Sequence, residues 1–159
     1  MADLCVLIVD DNVGAINLLK MVLNRIGVGK VLDATDAKQA FATLERGVEP
    51  VDIVMCDWRM PEVSGLHFLR RVRERHAQLP FVMVTAKSDV DSILRAKEFG
   101  VTDFIAKPYN AKTILTKVTK LAKTIETARP AVRASMPASP ADYASELIEL
   151  TVAPRPAAA

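Results

Sequence analysis

The stretch VDIVMCDWRMPEVSG, residues 51–65, decides the fold. Its first half is a mostly apolar run that ends on a carboxylate, Asp57. An apolar run without alternation is typical of a strand covered on both faces, as in a parallel sheet between two layers of helices. The chain then breaks at Pro61, and Ser64 with Gly65 opens a helical pattern. The stretch therefore predicts a buried strand that delivers one acid to its carboxyl end.

A short apolar strand followed by an amphipathic helix recurs along the chain to about residue 126. The helical patterns start after residues that can cap them, such as Asn12, Asp36 and Ser64, and several end at a glycine. Strands that alternate with helices predict a parallel sheet with helices on both faces and right-handed crossovers. The predicted strands span residues 4–9, 31–34, 51–56, 81–84 and 103–106.

The composition fits one globular domain with a short extension. The chain has 159 residues, and 21 basic against 19 acidic residues give a net charge of +2. This balance gives no electrostatic reason to expect binding to nucleic acid or to a membrane surface. The N-terminus lacks the pattern of a signal peptide, and no apolar run approaches the ~18 residues of a membrane span. We therefore expect a cytoplasmic protein.

The two cysteines are expected to stay reduced. Cys5 begins the first predicted strand and Cys56 ends the third. If these strands are parallel neighbours, a rise of about 3.3 Å per residue separates the thiols too far for a disulfide. Reduced cysteines agree with a cytoplasmic setting.

Polar residues follow four of the predicted strands. Asp10 and Asp11 come after the first strand, Asp57 follows the third, Thr85 follows the fourth and Lys107 follows the fifth. The carboxyl ends of parallel strands meet at one edge of the sheet, where ligands bind in such folds. Clustered carboxylates repel one another, and a Mg²⁺ ion with oxygen ligands relieves that repulsion. A metal, a lysine and a hydroxyl around one carboxylate are what attack on a phosphoryl group requires.

Each of these residues also has an ordinary structural explanation. An acid after a strand is often a helix cap or a turn former, and Asp11 or Asn12 taken alone could be only that. A single Lys-Pro or Thr-Ala pair carries even less information. The joint pattern, in this order and on these strand ends, favours the functional interpretation.

The motifs LIVDDN (7–12), DWRMP (57–61), Ser-Gly (64–65), Thr-Ala (85–86) and Lys-Pro (107–108) together resemble the receiver domain of two-component response regulators. The resemblance covers about residues 1–126 and is closest to single-domain regulators of the chemotaxis type. It implies a flavodoxin-like (βα)5 fold, a doubly wound parallel sheet with strand order 2-1-3-4-5.

The resemblance also implies roles for the residues at the sheet edge. Asp57 would accept a phosphoryl group from a phosphohistidine on a histidine kinase or a histidine phosphotransfer protein. Asp10 and Asp11 would bind Mg²⁺ together with Asp57 and the backbone carbonyl of Arg59. Lys107 would pair with Asp57 and then with the phosphoryl oxygens, and its peptide bond to the following proline would be cis.

A switch is implied as well. Thr85 would move toward the phosphoryl group, and the aromatic side chain of Phe104 would turn inward. The surface formed by the fourth helix, the fifth strand and the fifth helix would then change for its protein partners. Phe104 lacks the hydroxyl that some relatives carry, so we expect packing to govern the switch. Arg59 and Lys87 are expected to tune the lifetime of the phosphoryl group.

Three other functions fit less well. A Mg²⁺-dependent phosphatase of the aspartate-nucleophile class, the main alternative, needs two acids two residues apart on its first strand, whereas Asp10 and Asp11 are adjacent. A dinucleotide-binding protein needs a glycine-rich turn after that strand. A transcription factor needs a DNA-binding domain, and residues 127–159 are too few and not basic enough to form one. The protein is thus not expected to be an enzyme beyond its own phosphorylation and dephosphorylation.

The chain after residue 126 is rich in proline and alanine and reads as an extended, mostly disordered tail. Residues 140–150 predict a short amphipathic helix, because Ser139 can cap it and Tyr143, Leu147 and Leu150 share one side. Such a helix is too short to be stable alone and either docks or frays. The sequence leaves open whether the protein stays a monomer or dimerises when phosphorylated.

A few other residues are assigned by position. His67 and His76 have no partner at metal-ligand spacing and are expected at the surface. Trp58 is expected to report Mg²⁺ binding through its fluorescence. Four methionines are expected as core fillers, namely Met21, Met55, Met60 and Met83.

Overall fold

The structure is a computed structural model. It describes residues 1–86 and 90–133, and side chains within the second range as far as residue 128. Lys87 and Ser88, and the predicted helix at 140–150, lie outside the described residues. By internal contacts the chain divides into two units, Met1–Ile125 and Glu126–Ala159.

Strands and helices alternate along the first unit as the sequence predicts. The strands form one parallel five-stranded sheet in the order β2-β1-β3-β4-β5, which confirms the predicted fold. The strands are β1 (Cys5–Val9), β2 (Lys30–Ala34), β3 (Ile53–Asp57), β4 (Phe81–Thr85) and β5 (Asp103–Ala106). The helices are α1 (Val13–Arg25), α2 (Ala37–Arg46), α3 (Gly65–Arg75), α4 (Val90–Glu98) and α5 (Ala111–Arg133).

The helix starts follow from the capping residues. The side chains of Asn12, Asp36 and Ser64 each accept a hydrogen bond from a backbone N–H in the first turn of the helix that follows. This satisfies one of the N–H groups that a helix start leaves unpaired. At the other end of α2, Gly47 adopts a left-handed conformation with φ 57°, which glycine reaches without strain. The capping signals in the sequence therefore set these boundaries.

The sheet is buried on both faces by two apolar clusters. One cluster packs α1 and α5 against alternate residues of the strands, and includes Ile16, Leu23 and Ile114. The other packs α2, α3 and α4 against the opposite face, and includes Phe68 and Phe81. Because side chains alternate across a strand, the continuous apolar runs of β1, β3 and β4 supply both clusters. The two layers leave the carboxyl edge of the sheet accessible for chemistry.

The structure departs from the sequence predictions in three places. Helix α5 continues to Arg133 rather than ending near Glu126, so the helix extends beyond Ile125, where its apolar stripe stops. Met21 is 61% exposed and is not a core residue. On α4 the spacing of Val90, Ile93 and Leu94 in the sequence predicts an apolar stripe, but Leu94 is 51% exposed and the buried residues are the small Ser92 and Ala96.

Cys5 and Cys56 are free, buried thiols. The sheet register explains why, since Val9 and not Cys5 lies beside Cys56. The expected absence of a disulfide between them is confirmed. No helix among residues 1–86 and 90–133 has the length and apolar character needed to cross a membrane.

Candidate functional site

The parallel sheet brings the ends of β1, β3 and β5 to one edge, and with them three charged side chains. Asp10 directly follows β1 and is 6% exposed, Asp57 is the last residue of β3, and Lys107 directly follows β5. The Lys107 Nζ lies 3.0 Å from Asp57 Oδ1 and 3.2 Å from Asp10 Oδ2. The lysine therefore bridges two carboxylates from adjacent strands, the central strand β3 and its neighbour β1.

Asp10 is held by a second contact. The backbone N–H of Asn12 donates to Asp10 Oδ1 at 2.9 Å, while Lys107 donates to the other oxygen. Asn12 also caps α1, so the turn that starts this helix fixes the orientation of the carboxylate. The same short turn places Asp11 on the exposed side of the site.

Carboxylate oxygens of Asp10, Asp11 and Asp57 all lie within 4.8 Å of one another. Three carboxylates against the one ammonium group of Lys107 leave this cluster negative. Oxygen ligands at this spacing and a surplus of negative charge suit a hard divalent cation such as Mg²⁺. On their donor chemistry the residues present therefore fit a Mg²⁺ ion.

Burial and charge shift the ionisation of this cluster. Burial is the largest influence on the pKa of Asp57 and raises it, with Asp10 adding to the effect and the hydrogen bond from Lys107 opposing it. Burial alone would lower the pKa of Lys107, but the neighbouring Asp57 and Asp10 outweigh it, and the pKa is raised. The lysine is therefore charged at neutral pH, and the Asp57 carboxylate is held in a less favourable environment than water.

The other predicted site residues lie around this cluster. Thr85 ends β4 and is 4% exposed, and its backbone carbonyl accepts a hydrogen bond of 2.9 Å from the N–H of Lys107. The Lys107–Pro108 peptide bond is cis, as the resemblance implied. Phe104 lies on β5, partly buried, and packs against the cluster that contains α3 and α4. Arg59 is exposed, and Lys87 falls outside the described residues.

A cavity of about 550 Å³ opens beside Asp11. Its wall comes mostly from the loop between β3 and α3. Trp58 and Met60 on this wall are nearly buried, whereas Arg59 extends into solvent. The lining residues are Asp11, Trp58, Arg59, Met60, Pro61 and Ser64.

The start of α3 lies directly on the backbone of Asp57. The N–H of Gly65 donates to the Trp58 carbonyl at 2.9 Å, and a Cβ on Gly65 would stand 2.2 Å from the Asp57 carbonyl oxygen. A contact that short requires the backbone to shift, so only glycine fits here. The Ser-Gly pair of the sequence is thus explained by close packing of α3 against β3.

Sequence reasoning missed two contributors to the site. Tyr109 follows the cis proline, and burial raises its pKa, with smaller influences of opposite sign from Lys107 and Asp10. Its position two residues after Lys107 was the available signal. The sequence predicts Met60 only as a core residue, yet it also lines the cavity. Residue type and spacing alone cannot predict a position on a cavity wall.

Comparison with known proteins agrees with this geometry. Residues 6–119 match the family model described as the response regulator receiver domain. The chain is 35% identical over 118 residues to the chemotaxis protein CheY of Pseudomonas aeruginosa, an alignment that covers 73% of this chain and 94% of that protein. It is 33% identical over 118 residues to chemotaxis protein CheY-3 of Vibrio cholerae, with 73% and 89% covered. The chain therefore belongs to the response regulator receiver family, and so to the proteins of two-component signalling.

Solved structures of relatives share the fold. Chemotaxis protein CheY4 of Vibrio cholerae superposes with a TM-score of 0.70 at 26% identity, covering 74% of this chain and 98% of that one. CheY from Borrelia burgdorferi, in a complex with CheX, BeF₃ and Mg²⁺, gives a TM-score of 0.70 at 25% identity, covering 74% and 88%. In both comparisons the likeness covers about three quarters of this chain.

Proposed function

We propose that this protein is a single-domain response regulator that accepts a phosphoryl group on Asp57. The observation that carries the proposal is the convergence of Asp10, Asp11, Asp57 and Lys107 at the carboxyl edge of the sheet. One carboxylate, Asp57, has a lysine within hydrogen-bond distance and two further acids beside it. Acceptance of a phosphoryl group needs this combination of a nucleophile and charge compensation.

The donor that fits is a phosphohistidine on a histidine kinase or a histidine phosphotransfer protein. A carboxylate oxygen of Asp57 forms the bond to phosphorus while the bond from phosphorus to the imidazole nitrogen breaks. The electron pair of that bond stays on the nitrogen, so a ring that carries a proton on its other nitrogen leaves as neutral imidazole. Lys107 keeps its charge throughout and pairs with the new phosphoryl oxygens.

Asp10, Asp11, Asp57 and the backbone carbonyl of Arg59 are the proposed ligands of a Mg²⁺ ion. When bound, the ion neutralises negative charge on the phosphoryl oxygens. Asp10 is already oriented for this role by Asn12, so binding requires little rearrangement of its carboxylate. The presence of Mg²⁺ and BeF₃ in the complex of the relative from Borrelia burgdorferi supports this assignment.

The output of the phosphorylated protein is proposed to be its α4–β5–α5 surface. Thr85, at the end of β4, would move toward the phosphoryl group, and Phe104 would turn inward on β5. Phe104 is only partly buried and packs at the edge of a core cluster, so it has room for an alternative side-chain conformation. The exposed apolar residues Val90, Leu94 and Leu115 give this surface the means to bind a protein partner.

The partners proposed are therefore proteins, an upstream phosphohistidine donor and a downstream target, and the setting proposed is the cytoplasm. The domain acts as a monomer in the unphosphorylated state. Residues 127–159 are proposed as a separate tail. The protein is proposed to catalyse only its own phosphorylation and dephosphorylation.

Intact-mass measurement tests the proposal without knowledge of the partner. The wild-type chain, incubated with Mg²⁺ and acetyl phosphate, should gain the mass of one phosphoryl group, and Asp57→Asn should gain none. A wild-type chain that turns over a small phosphoester without becoming modified would instead support the phosphatase alternative.

Arg59 and Lys87 are proposed to alter the approach of the hydrolytic water. Arg59 supports this because it lies on the cavity wall beside Asp11 with its side chain exposed. Arg59→Ala and Lys87→Ala should each change the rate of aspartyl-phosphate decay by more than about twofold, because one charge near the site is removed. Arg46→Ala, on the far helix α2, is the control. Decay rates equal to that of the control would reject the role.

A further inference from the structure

Helix α3 carries four arginines, and each of them is engaged. Arg71 stacks over the Phe41 ring of α2 at 5.1 Å, and Arg75 pairs with Glu45 of α2 at 3.0 Å. Arg70 and Arg73 instead contact the segment that follows α4, as described below. Residues three or four apart share one side of a helix. Arg71 and Arg75 therefore point toward α2, and Arg70 and Arg73 point toward the end of α4. The arginine cluster is thus a set of links to both neighbouring helices.

Arg73 makes the most extensive of these links. Its Nε donates to the Gly100 carbonyl at 2.9 Å, and an Nη donates to the carbonyls of Leu79 and His76 at 2.7 and 3.0 Å. Hydrogen bonds from a charged donor to carbonyls are stronger than neutral ones. Gly100 has φ 82° and lies so close that a Cβ there would be 3.2 Å from the Arg73 Nε. The backbone that follows α4 therefore packs closely against the Arg73 side chain and is hydrogen-bonded to it.

Arg70 adds a second link at the same place. Its guanidinium lies 5.7 Å from the centre of the Phe99 ring, directly before Gly100. By contrast, the buried residues along α4 are the small Ser92 and Ala96, and small side chains contribute little apolar area. Helix α4 is therefore held more firmly at its carboxyl end than along its length.

The opposite end of α3 lies at the phosphoacceptor. Gly65, its first residue, packs on the Asp57 carbonyl, as described above. Helix α3 thus spans the distance from the modified residue to the end of α4, and it is tied to α2 on its other side. This makes α3 the fixed reference against which α4 can change position.

We propose that α3 anchors the carboxyl end of α4 through Arg70 and Arg73, so that phosphorylation changes the output surface by moving α4 about this fixed end. The inference rests on the proposed function, since it describes how the same site controls its output. It assigns the arginines of α3 a conformational role rather than an anion-binding one. The amide groups of Phe99, Gly100 and Val101 lie at the pivot and bond to carbonyls in the last turns of α4.

Hydrogen exchange at individual amides tests this directly, with Mg²⁺ and beryllofluoride as a stable mimic of the phosphoryl group. In the wild type, beryllofluoride should change exchange at Leu94 by at least about fivefold and leave Phe99, Gly100 and Val101 within about twofold. Equal changes at Leu94 and at the pivot amides would overturn the proposal, because α4 would then move as a whole. So would the absence of any change in α4.

Arg73→Met and Arg75→Met form the matched pair of variants. Arg73→Met should speed exchange at the pivot amides about tenfold before any beryllofluoride is added, whereas Arg75→Met should leave them unchanged. Identical exchange in the two variants would overturn the proposal. If Arg73→Met does not fold, Arg73→Lys removes the bond to Gly100 while it keeps the charge, and the same comparison applies.

Phosphorylation by acetyl phosphate separates this inference from the function beneath it. Arg73→Met should gain the phosphoryl group at a rate within about twofold of the wild type, because Arg73 lies away from the acidic cluster. A wild-type chain that gains no phosphoryl group would overturn the proposed function and the pivot with it. Normal phosphorylation with a freely moving carboxyl end of α4 would overturn the pivot alone.

Discussion

At the scale of single residues, Lys107 decides how the acidic cluster behaves. It bridges Asp10 and Asp57, and its charge compensates carboxylates that would otherwise repel each other. Removing this lysine would leave two nearly buried carboxylates without a cation, which costs more than an exposed ion pair contributes. The chemistry and the stability of the site therefore depend on the same side chain.

Lys107→Met should slow phosphorylation by acetyl phosphate about 100-fold or more, since a fixed charge at the developing phosphoryl oxygens is lost. The initial rate is measured by intact mass at saturating Mg²⁺. Lys117→Met is the matched control, because Lys117 likewise forms an ion pair, at 2.6 Å with Asp103, the first residue of β5, but lies outside the acidic cluster. Equal rates in the two variants would contradict the role of Lys107.

Asp57→Asn should raise the free energy of unfolding of the metal-free protein at neutral pH. Because burial raises the pKa of Asp57 in the folded state, the wild type loses stability as pH rises from the ordinary value of 3.8 through the raised one. Asparagine does not ionise, so the variant avoids this loss. The difference in the free energy of unfolding between the variant and the wild type should therefore shrink as the pH falls toward 3.8. Urea unfolding in a chelator at several pH values measures it.

Asp36→Asn is the control for that series, because asparagine caps a helix as well as aspartate does and Asp36, which is partly exposed, lies outside the acidic cluster. A variant at position 57 that is less stable than the wild type at neutral pH would contradict the assigned environment of the carboxyl group.

Addition of Mg²⁺ should stabilise the wild type more than Asp57→Asn. A ligand that binds only the folded state at 100 times its dissociation constant adds about 2.7 kcal/mol to the free energy of unfolding. The variant offers one carboxylate fewer and should gain less at the same concentration. The gain in the free energy of unfolding is measured by urea unfolding, and Mg²⁺ binding is monitored by Trp58 fluorescence. Equal gains in the two proteins would mean that the ion does not bind at the acidic cluster.

At the scale of helices and strands, the end of each element rather than its middle determines the site. Asp57 ends β3, Thr85 ends β4, and Asn12 both caps α1 and orients Asp10. The sequence predicts these positions because capping residues and strand ends leave local signals. A register shift of one residue in β3 would turn the Asp57 side chain to the other side of the sheet.

Gly65→Ala tests the close packing of α3 on β3. The added Cβ would collide with the Asp57 carbonyl oxygen, so the free energy of unfolding should fall by about 1–3 kcal/mol. Gly14→Ala is the matched control in the first turn of α1, where the added Cβ meets only the side chain of Asn12 at 3.1 Å. The control should cost clearly less, because its contact is longer and is made with a side chain rather than with backbone. Equal effects at the two positions would contradict the packing described for α3.

What the sequence could not predict at this scale comes from contacts between distant segments. The hydrogen bond from Arg73 to Gly100 joins α3 to the segment after α4, and these residues are 27 positions apart. No local sequence pattern therefore predicts this bond. Met21 has the apolar character of a core residue but lies on the outer side of α1. The spacing of Leu94 fits a helical stripe, yet the small residues Ser92 and Ala96 are the ones that pack.

At the scale of the whole molecule, the fold and the site were predictable together. Parallel strands force their carboxyl ends to one edge, so the order of polar residues along the chain predicts which side chains meet. The sequence does not predict that one lysine bridges Asp10 and Asp57, because this depends on the distances from its Nζ to the two carboxylates. Only the structure gives these distances. The sequence predicts the end of α5 near residue 126, because the apolar stripe stops there. The helix itself continues to Arg133, since the loss of an apolar stripe does not end a helix.

Removal of residues 134–159 should leave the stability of the domain within about 0.5 kcal/mol, measured by urea unfolding. The last buried residue of the described part of the chain is Ala122, and Ile125 is the last that packs against the core. A chain that ends at Lys117 is the positive control, because it loses Val118 and Leu121. A loss of more than about 2 kcal/mol on removing 134–159 would show that this segment covers apolar surface.

The central claim is that Asp57 is the single residue that becomes phosphorylated. Reductive trapping with borohydride converts an aspartyl phosphate to homoserine, and peptide mass spectrometry then locates the converted residue. After incubation with Mg²⁺ and acetyl phosphate, we predict conversion at Asp57 and at neither Asp10 nor Asp11. Conversion at either of those acids, or an unmodified Asp57 in a folded chain, would contradict the account.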